Sequence, residues 1–279
     1  MVLLISILVT FTTGLKAQQP VVLNVIDSLT IRPVHPPVFE GITTDTTHLL
    51  LSDWPVTLVK YSYGEPKINF IAIHDDEDTG VKAAFEYIRF SGGSIIDCQY
   101  GGIRNFKFMY NNEEFQTDPN SIYTPAGIAR GLEKYNWAAP EVVNMLANTA
   151  KEILKLYNPE TPPYIFTLHN NGDGGFGIHD YLKGYPLENF ADSLYINFEM
   201  DADDLILVTD VNLFNRLKKE NVNVVLQSNN APDDGSLSYY AMQQRIPYVN
   251  VEVQHGHLYE HLRLIEIAAK ALEETILPL

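Results

Sequence analysis

The sequence predicts an α/β fold with a largely parallel sheet covered by helices on both faces. Strand-like and helix-like segments alternate from Val56 onward, and several strands are dense apolar runs of the kind buried on both faces. The chain has 279 residues, of which 46% are hydrophobic, ample for one sheet-centred core. No internal repeat or low-complexity linker divides it, so residues 18–279 are expected to form a single domain.

The elements follow in order. The segment up to about Pro37 is proline-rich, has no clear period and reads as an N-terminal arm with room for an edge strand. Val56–Tyr63 alternates and reads as a half-buried strand, and Lys67–Ile73 as a central one. Asp78–Phe90 reads as a helix with Val81, Ala84, Phe85 and Ile88 on one face, stopped by Gly92-Gly93. Ser94–Tyr100 and Asn105–Tyr110 read as strands, the second ending in an Asn-Asn turn. Pro140 opens a helix that runs from Glu141 to Tyr157. Tyr164–Leu168, Asp204–Thr209, Val222–Leu226 and Tyr248–Val253 are further strands. A helix through Leu213 and Leu217 lies between two of them, and a last helix spans Leu258–Ile276.

Charge and cysteine content exclude several functions. The net charge is −16, from 35 acidic and 19 basic side chains, with no basic block or stripe. Nucleic acid and anionic membrane surfaces would be repelled. Residues 1–17 carry an apolar run, then small residues and Ala17, the pattern of a secretory signal, although the first basic residue is Lys16. The expectation is an exported protein, periplasmic or extracellular, with no stable membrane insertion after signal removal, because the run is short for a span. A buried N-terminal strand or helix is the plainer alternative. Cys98 is the only cysteine, so no intramolecular disulfide forms and thiolate metal clusters are excluded.

Ligands of parallel α/β sheets collect beyond the carboxyl ends of the strands. His74 and Glu77 directly follow one apolar strand, His169 follows another, and Glu252 lies near the end of a third. If those strands are parallel neighbours, the four side chains meet at one rim. Two imidazoles and a carboxylate suit a catalytic zinc, which keeps three protein ligands and an open position. A separate carboxylate, Glu252, can then serve as base. Each position taken alone has a bland reading, since His-x-x-Glu occurs by chance and a histidine after a strand is usually a hydrogen-bonded loop residue.

The order His74-x-x-Glu77, Arg104-Asn105, Asp118-Pro-Asn120, His169 and Glu252 resembles the zinc carboxypeptidases and the related acylaspartate and succinylglutamate deacylases. The resemblance spans roughly Lys67 to His257. It implies a three-layer sandwich around a mixed, mostly parallel sheet of about eight strands. It also implies hydrolysis of an amide, peptide or N-acyl, by a water activated at Zn2+. His74, Glu77 and His169 match the metal ligands and Glu252 the base. Arg104 matches the arginine that polarises the scissile carbonyl, and Asn120 the asparagine that binds substrate carboxylate. One of Tyr239 and Tyr240, with Tyr240 the candidate, matches a mobile active-site tyrosine in a segment read as flexible. The expected substrate is a small peptide or an N-acylated amino acid.

Ser121 stands where the family usually has an arginine that grips a free carboxylate. A neutral hydroxyl cannot form that fork; Arg130 is the nearest replacement, although a solvated helix arginine is the plainer reading. The departure keeps a second reading open, an inactive or metal-free relative that binds a peptide or glycan fragment. His255, His257 and His261 form a cluster after Glu252, expected to support the site or start a helix rather than bind a second metal. Asn170–Phe176 is expected to shape the pocket floor, and Asp75 or Asp76 to orient His74.

Overall fold

The computed structural model describes residues 40–65, 67–158 and 163–277. The proposed signal segment and the N-terminal arm lie outside these residues. The strands are β1 (Thr43–Leu51), β2 (Trp54–Tyr63), β3 (Ile68–Ala72), β4 (Gly93–Gln99), β5 (Phe106–Tyr110), β6 (Glu113–Thr117), β7 (Ile165–Asn171), β8 (Ala191–Tyr195), β9 (Leu205–Val208), β10 (Val224–Gln227) and β11 (Tyr248–Gln254). The helices are α1 (Asp78–Ser91), α2 (Pro125–Glu133), α3 (Pro140–Tyr157), α4 (Val211–Lys218), α5 (Leu237–Gln244) and α6 (Leu258–Thr275).

Nine strands form one mixed sheet in the order β1-β2-β4-β3-β7-β11-β9-β10-β8, and β5 and β6 pair separately as a hairpin. The four central strands, β4, β3, β7 and β11, are mutually parallel, and β9 is parallel to β10. The flanks are antiparallel, at β1–β2, β2–β4, β11–β9 and β10–β8. The parallel character expected from the sequence is thus concentrated in the centre. At one edge the cause is local: β1 and β2 are joined by Ser52-Asp53, with Ser52 at φ +58°, and so short a link permits only an antiparallel pair.

Helices cover both faces, giving three layers. One core is filled by Val81, Phe85 and Ile88 of α1, Leu213 and Leu217 of α4, and Leu264, Ile265 and Leu272 of α6. The other is filled by Ile128 and Leu132 of α2, Val142, Leu146 and Ile153 of α3, Leu237 of α5, and the hairpin phenylalanines Phe106, Phe108 and Phe115. Cys98 is buried in this second core. Helix α1 turns sharply into β4: Gly93 sits at φ +138°, and a Cβ there would lie 2.2 Å from the Ile68 carbonyl oxygen.

Candidate active site

The three parallel strands β3, β7 and β11 are neighbours, and they carry the predicted residues to one rim. Ala72, at the end of β3, pairs in register with Leu168 of β7, and His169 of β7 pairs with Glu252 of β11. His74 lies two residues past the end of β3. Glu77 occupies the position just before α1, in a turn closed by its own N–H on the His74 carbonyl at 3.4 Å. Apolar strands thus bring polar side chains into the interior, where His74, Glu77, His169 and Glu252 are 1%, 2%, 4% and 8% exposed.

Three of these groups converge. His74 Nδ1 and His169 Nδ1 are 3.0 Å apart, with Glu77 Oε1 2.8 Å from the first and Glu77 Oε2 2.9 Å from the second. Their ligand atoms lie within 4.8 Å of one another, and this is the one buried group of that kind among the described residues. Burial opposes a charge on His74, but Glu77 and Asp118 outweigh it and lift the imidazole to about 10. Burial likewise opposes ionisation of Glu77, yet His74 and His169 hold its carboxyl well below the usual range. Two imidazole nitrogens and a carboxylate pressed together in the interior form a donor set that a cation would satisfy.

Glu252 stands apart from the triad. Asn250 donates to its Oε2 at 3.3 Å. Burial lifts its carboxyl to about 7; His169, Asn250 and Arg104 pull it down, and the Glu77 charge adds to the rise. A carboxyl held there can exchange a proton near neutrality.

Arg104 and Asp118 complete the rim. Arg104 donates to Glu77 Oε1 at 2.6 Å and to Asp118 Oδ2 at 3.3 Å, and its side chain is half exposed. Asp118 accepts from His74 Nε2 at 2.8 Å, fixing the ring with Nδ1 turned to the triad. Sequence reading placed weight on Asn120 in this motif and missed the role of Asp118. It gave His74's orientation to Asp75 or Asp76, and the structure corrects this. Asp75 instead accepts from the backbone N–H groups of Tyr100 and Gly102, each at 2.6 Å, and the Tyr100 hydroxyl donates to the Arg104 carbonyl at 2.8 Å. Asp75 therefore shapes the loop that carries Arg104.

A cleft of about 490 Å³ opens over the group, and His74, Glu77, His169, Arg104, Asn120 and Glu252 all line it. Asn170, Asn171, Gly172 and Phe176 also line it, as expected for that loop. Asn120 accepts from the Leu237 N–H through Oδ1 at 3.0 Å, and its Nδ2 makes no hydrogen bond among the described residues. Ser121 and Tyr240 are not among the lining residues. Ser121 packs towards α2, its Cβ 3.4 Å from where a Cβ on Gly131 would stand, and Tyr240 packs against Tyr123 at 6.3 Å between ring centres. The segment read as flexible is partly helical: Ser236 caps α5 by accepting from the Tyr239 N–H at 3.1 Å, and Tyr239 and Tyr240 lie in its first turn. Arg130 is outside the cleft and pairs with Asp233 at 3.3 Å.

The histidine cluster disperses. His255 is exposed at the cleft rim, His257 lies 3.9 Å from Asp204, and His261 is fully buried beneath Asn170, its Nδ1 3.3 Å from the amide nitrogen. Asn170 also accepts from the Gly80 N–H at 3.1 Å and donates to the Val253 carbonyl at 3.0 Å, tying α1, β7 and β11 together behind the site.

No family model and no curated protein matches the chain. Among solved structures, a candidate metallopeptidase from Shewanella denitrificans OS217 is similar at 10% identity and a TM-score of 0.41, over 85% of each chain. Another from Shewanella amazonensis SB2B is similar at 12% identity and a TM-score of 0.36, over 82% of this chain and 86% of that one. The tripeptide-bound cell shape determinant Csd4 of Helicobacter pylori is similar at 12% identity and a TM-score of 0.38; 84% of this chain covers 55% of that one. Likenesses this distant carry no functional argument, and the chemistry of the site stands on its own residues.

Proposed function

We propose that this protein is a zinc-dependent hydrolase of amide bonds, acting on a small peptide or an N-acylated amino acid. One observation carries the reading: His74, Glu77 and His169 turn three buried donor atoms to a common point on the floor of an open cleft. Two imidazoles and one carboxylate are a set that zinc accepts with a position left open. When bound, the ion would act as a Lewis acid towards water and towards the scissile carbonyl.

The chain's own residues supply the rest. Glu252, with its carboxyl near 7, takes a proton from the attacking water and returns it to the leaving nitrogen, so the base is regenerated. Arg104 reaches the cleft with a half-exposed guanidinium suited to the developing negative charge on the carbonyl oxygen. Asp118 holds the His74 ring, and Asn120 offers Nδ2 to the substrate. Strict recognition of a free carboxylate is not part of the proposal, because Arg130 is spent on Asp233 outside the cleft.

Metal analysis and a peptide-hydrolysis assay on the purified protein test the reading together. About one zinc per chain in the wild type, and markedly less in His169→Ala, is the expected result. Equal metal content in both would remove His169 from the ligand set. Wild-type protein with neither metal nor hydrolysis would leave the cleft as a binding site for a peptide or glycan fragment.

A further inference from the structure

One wall of the cleft has no role in the chemistry proposed above. Tyr181 lines it at 7% exposure, and its hydroxyl makes no hydrogen bond among the described residues. Gln227, at the end of β10, lines it at 5% exposure; its Nε2 approaches Met242 Sδ at 3.9 Å, and its carbonyl oxygen has no partner among the described residues. Both side chains are buried, but their oxygens are open to the cleft, where a ligand can pair them in place of water.

The charges that bear most directly on Tyr181 are the acidic ones of Glu252 and Asp234. Asp234 lines the mouth and Glu252 the depth, and Arg104 is the only Lys or Arg among the lining residues, already engaged by Glu77 and Asp118. Burial chiefly pushes the Tyr181 phenol well above its ordinary range, and Glu252, Tyr248 and Asp234 add to the rise. The wall therefore presents acceptor oxygens: the Gln227 amide, the Tyr181 hydroxyl and two carboxylates.

We infer that the cleft takes a substrate with an ammonium-bearing side chain beside the scissile amide, and that Gln227 and Asp234 determine this specificity. An ammonium brings three donors and one positive charge, which match the unpaired oxygens and the carboxylates. A carboxylate side chain would meet Asp234 and Glu252 as like charges. An aliphatic one would leave Gln227 and Tyr181 unpaired. The inference rests on the reading of the cleft as an amide-hydrolase site, but binding tests it separately from turnover.

The test uses blocked dipeptides that differ at one residue, lysine, norleucine or glutamate, placed in turn on either side of the scissile bond. Both kcat/KM and calorimetric binding are measured on the wild-type protein. The lysine peptides should exceed their norleucine twins by about tenfold or more in at least one position, with glutamate poorest. Asp234→Asn, in an exposed turn, and Gln227→Leu should each move the lysine-to-norleucine ratio towards one. Lysine-selective binding without hydrolysis would sustain the specificity and sink the hydrolase. Hydrolysis with norleucine or glutamate equal to or better than lysine would do the reverse. No binding and no hydrolysis of any peptide overturns the inference as well.

Discussion

Asp118→Asn separates an active metal site from a chance gathering of polar groups. The substitution keeps the shape of the side chain and removes its charge. In the structure Asp118 accepts from His74 Nε2 at 2.8 Å and from the Asn120 N–H at 2.7 Å, both through Oδ1. An amide oxygen can still accept either bond, so the 3-10 turn at Pro119–Ser121 should survive. At Arg104 the acceptor Oδ2, 3.3 Å away, is replaced by a donor; at His74 what is lost is the difference between a hydrogen bond to a charged group, about 1.5–3 kcal/mol, and a neutral one, about 0.5–1.5 kcal/mol. That loss of roughly 1–1.5 kcal/mol corresponds to about tenfold weaker zinc binding. Competition with a coloured chelator at fixed pH reads the dissociation constant directly, and a thermal melt of the metal-free protein shows whether the fold is intact. Asp75→Asn is the matched control, since Asp75 is next to His74 in sequence but grips the Tyr100–Gly102 backbone. It should leave zinc affinity within about threefold of wild type while lowering turnover through Arg104. If Asp118→Asn binds zinc as tightly as the wild type, or if the two variants behave alike, Asp118 does not orient a ligand.

Four further outcomes are expected. Glu252→Gln should retain zinc yet lose most hydrolysis, and loss of both by metal analysis and assay would make Glu252 a ligand rather than the base. Burial holds His261 down at about 3, below its ordinary 6.5, so its contribution to stability is intact above pH 6.5 and is lost as pH falls towards 3. Denaturant melts should show His261→Gln losing less stability than wild type over that window, by up to about 1.4 kcal/mol per pH unit, and parallel pH profiles would refute this. A peptide and its C-terminally amidated twin should give similar kcat/KM; a preference for the free acid of roughly a hundredfold or more would mean that another cation grips the carboxylate. In the native host the mature chain should begin near Gln18, and N-terminal sequencing that returns Met1 or Val2 would sink the export proposal.

The centre of this fold was legible because its strands are written as unbroken apolar runs. Lys67–Ile73 and Tyr164–Leu168 leave little choice but a buried strand, and the polar residues that interrupt them mark the rim. Edge strands are less visible. In β1, Thr43 to Asp45 face solvent, and β8 has no fully buried residue, so neither shows the pattern that reveals a strand. The antiparallel flanks depend on pairings that no local pattern records. Helix α5 was missed although Ser236 is a good cap, because Asp-Asp-Gly ahead of it reads as loop and the helix buries only Leu237 and Ala241. Asp118 and the Asn170–His261 contact escaped for another reason: both join residues more than forty positions apart.

The glycines in and behind this cleft divide into two kinds with opposite prospects for protein engineering. A Cβ on Gly127, in α2, would stand 2.1 Å from the Cα of Gly235, whose own φ is +80°. The strand of loop holding Asp234 and Ser236 is thus locked against the segment that follows Asp118 and Asn120, further pinned by the Tyr123 N–H on the Gly235 carbonyl at 2.9 Å. A randomised library should return glycine at both positions whatever substrate is selected for. Gly172 lines the cleft itself, and a side chain there would meet nothing within 4 Å. Selection for altered substrate range has its freedom at Gly172, where an added side chain meets open space.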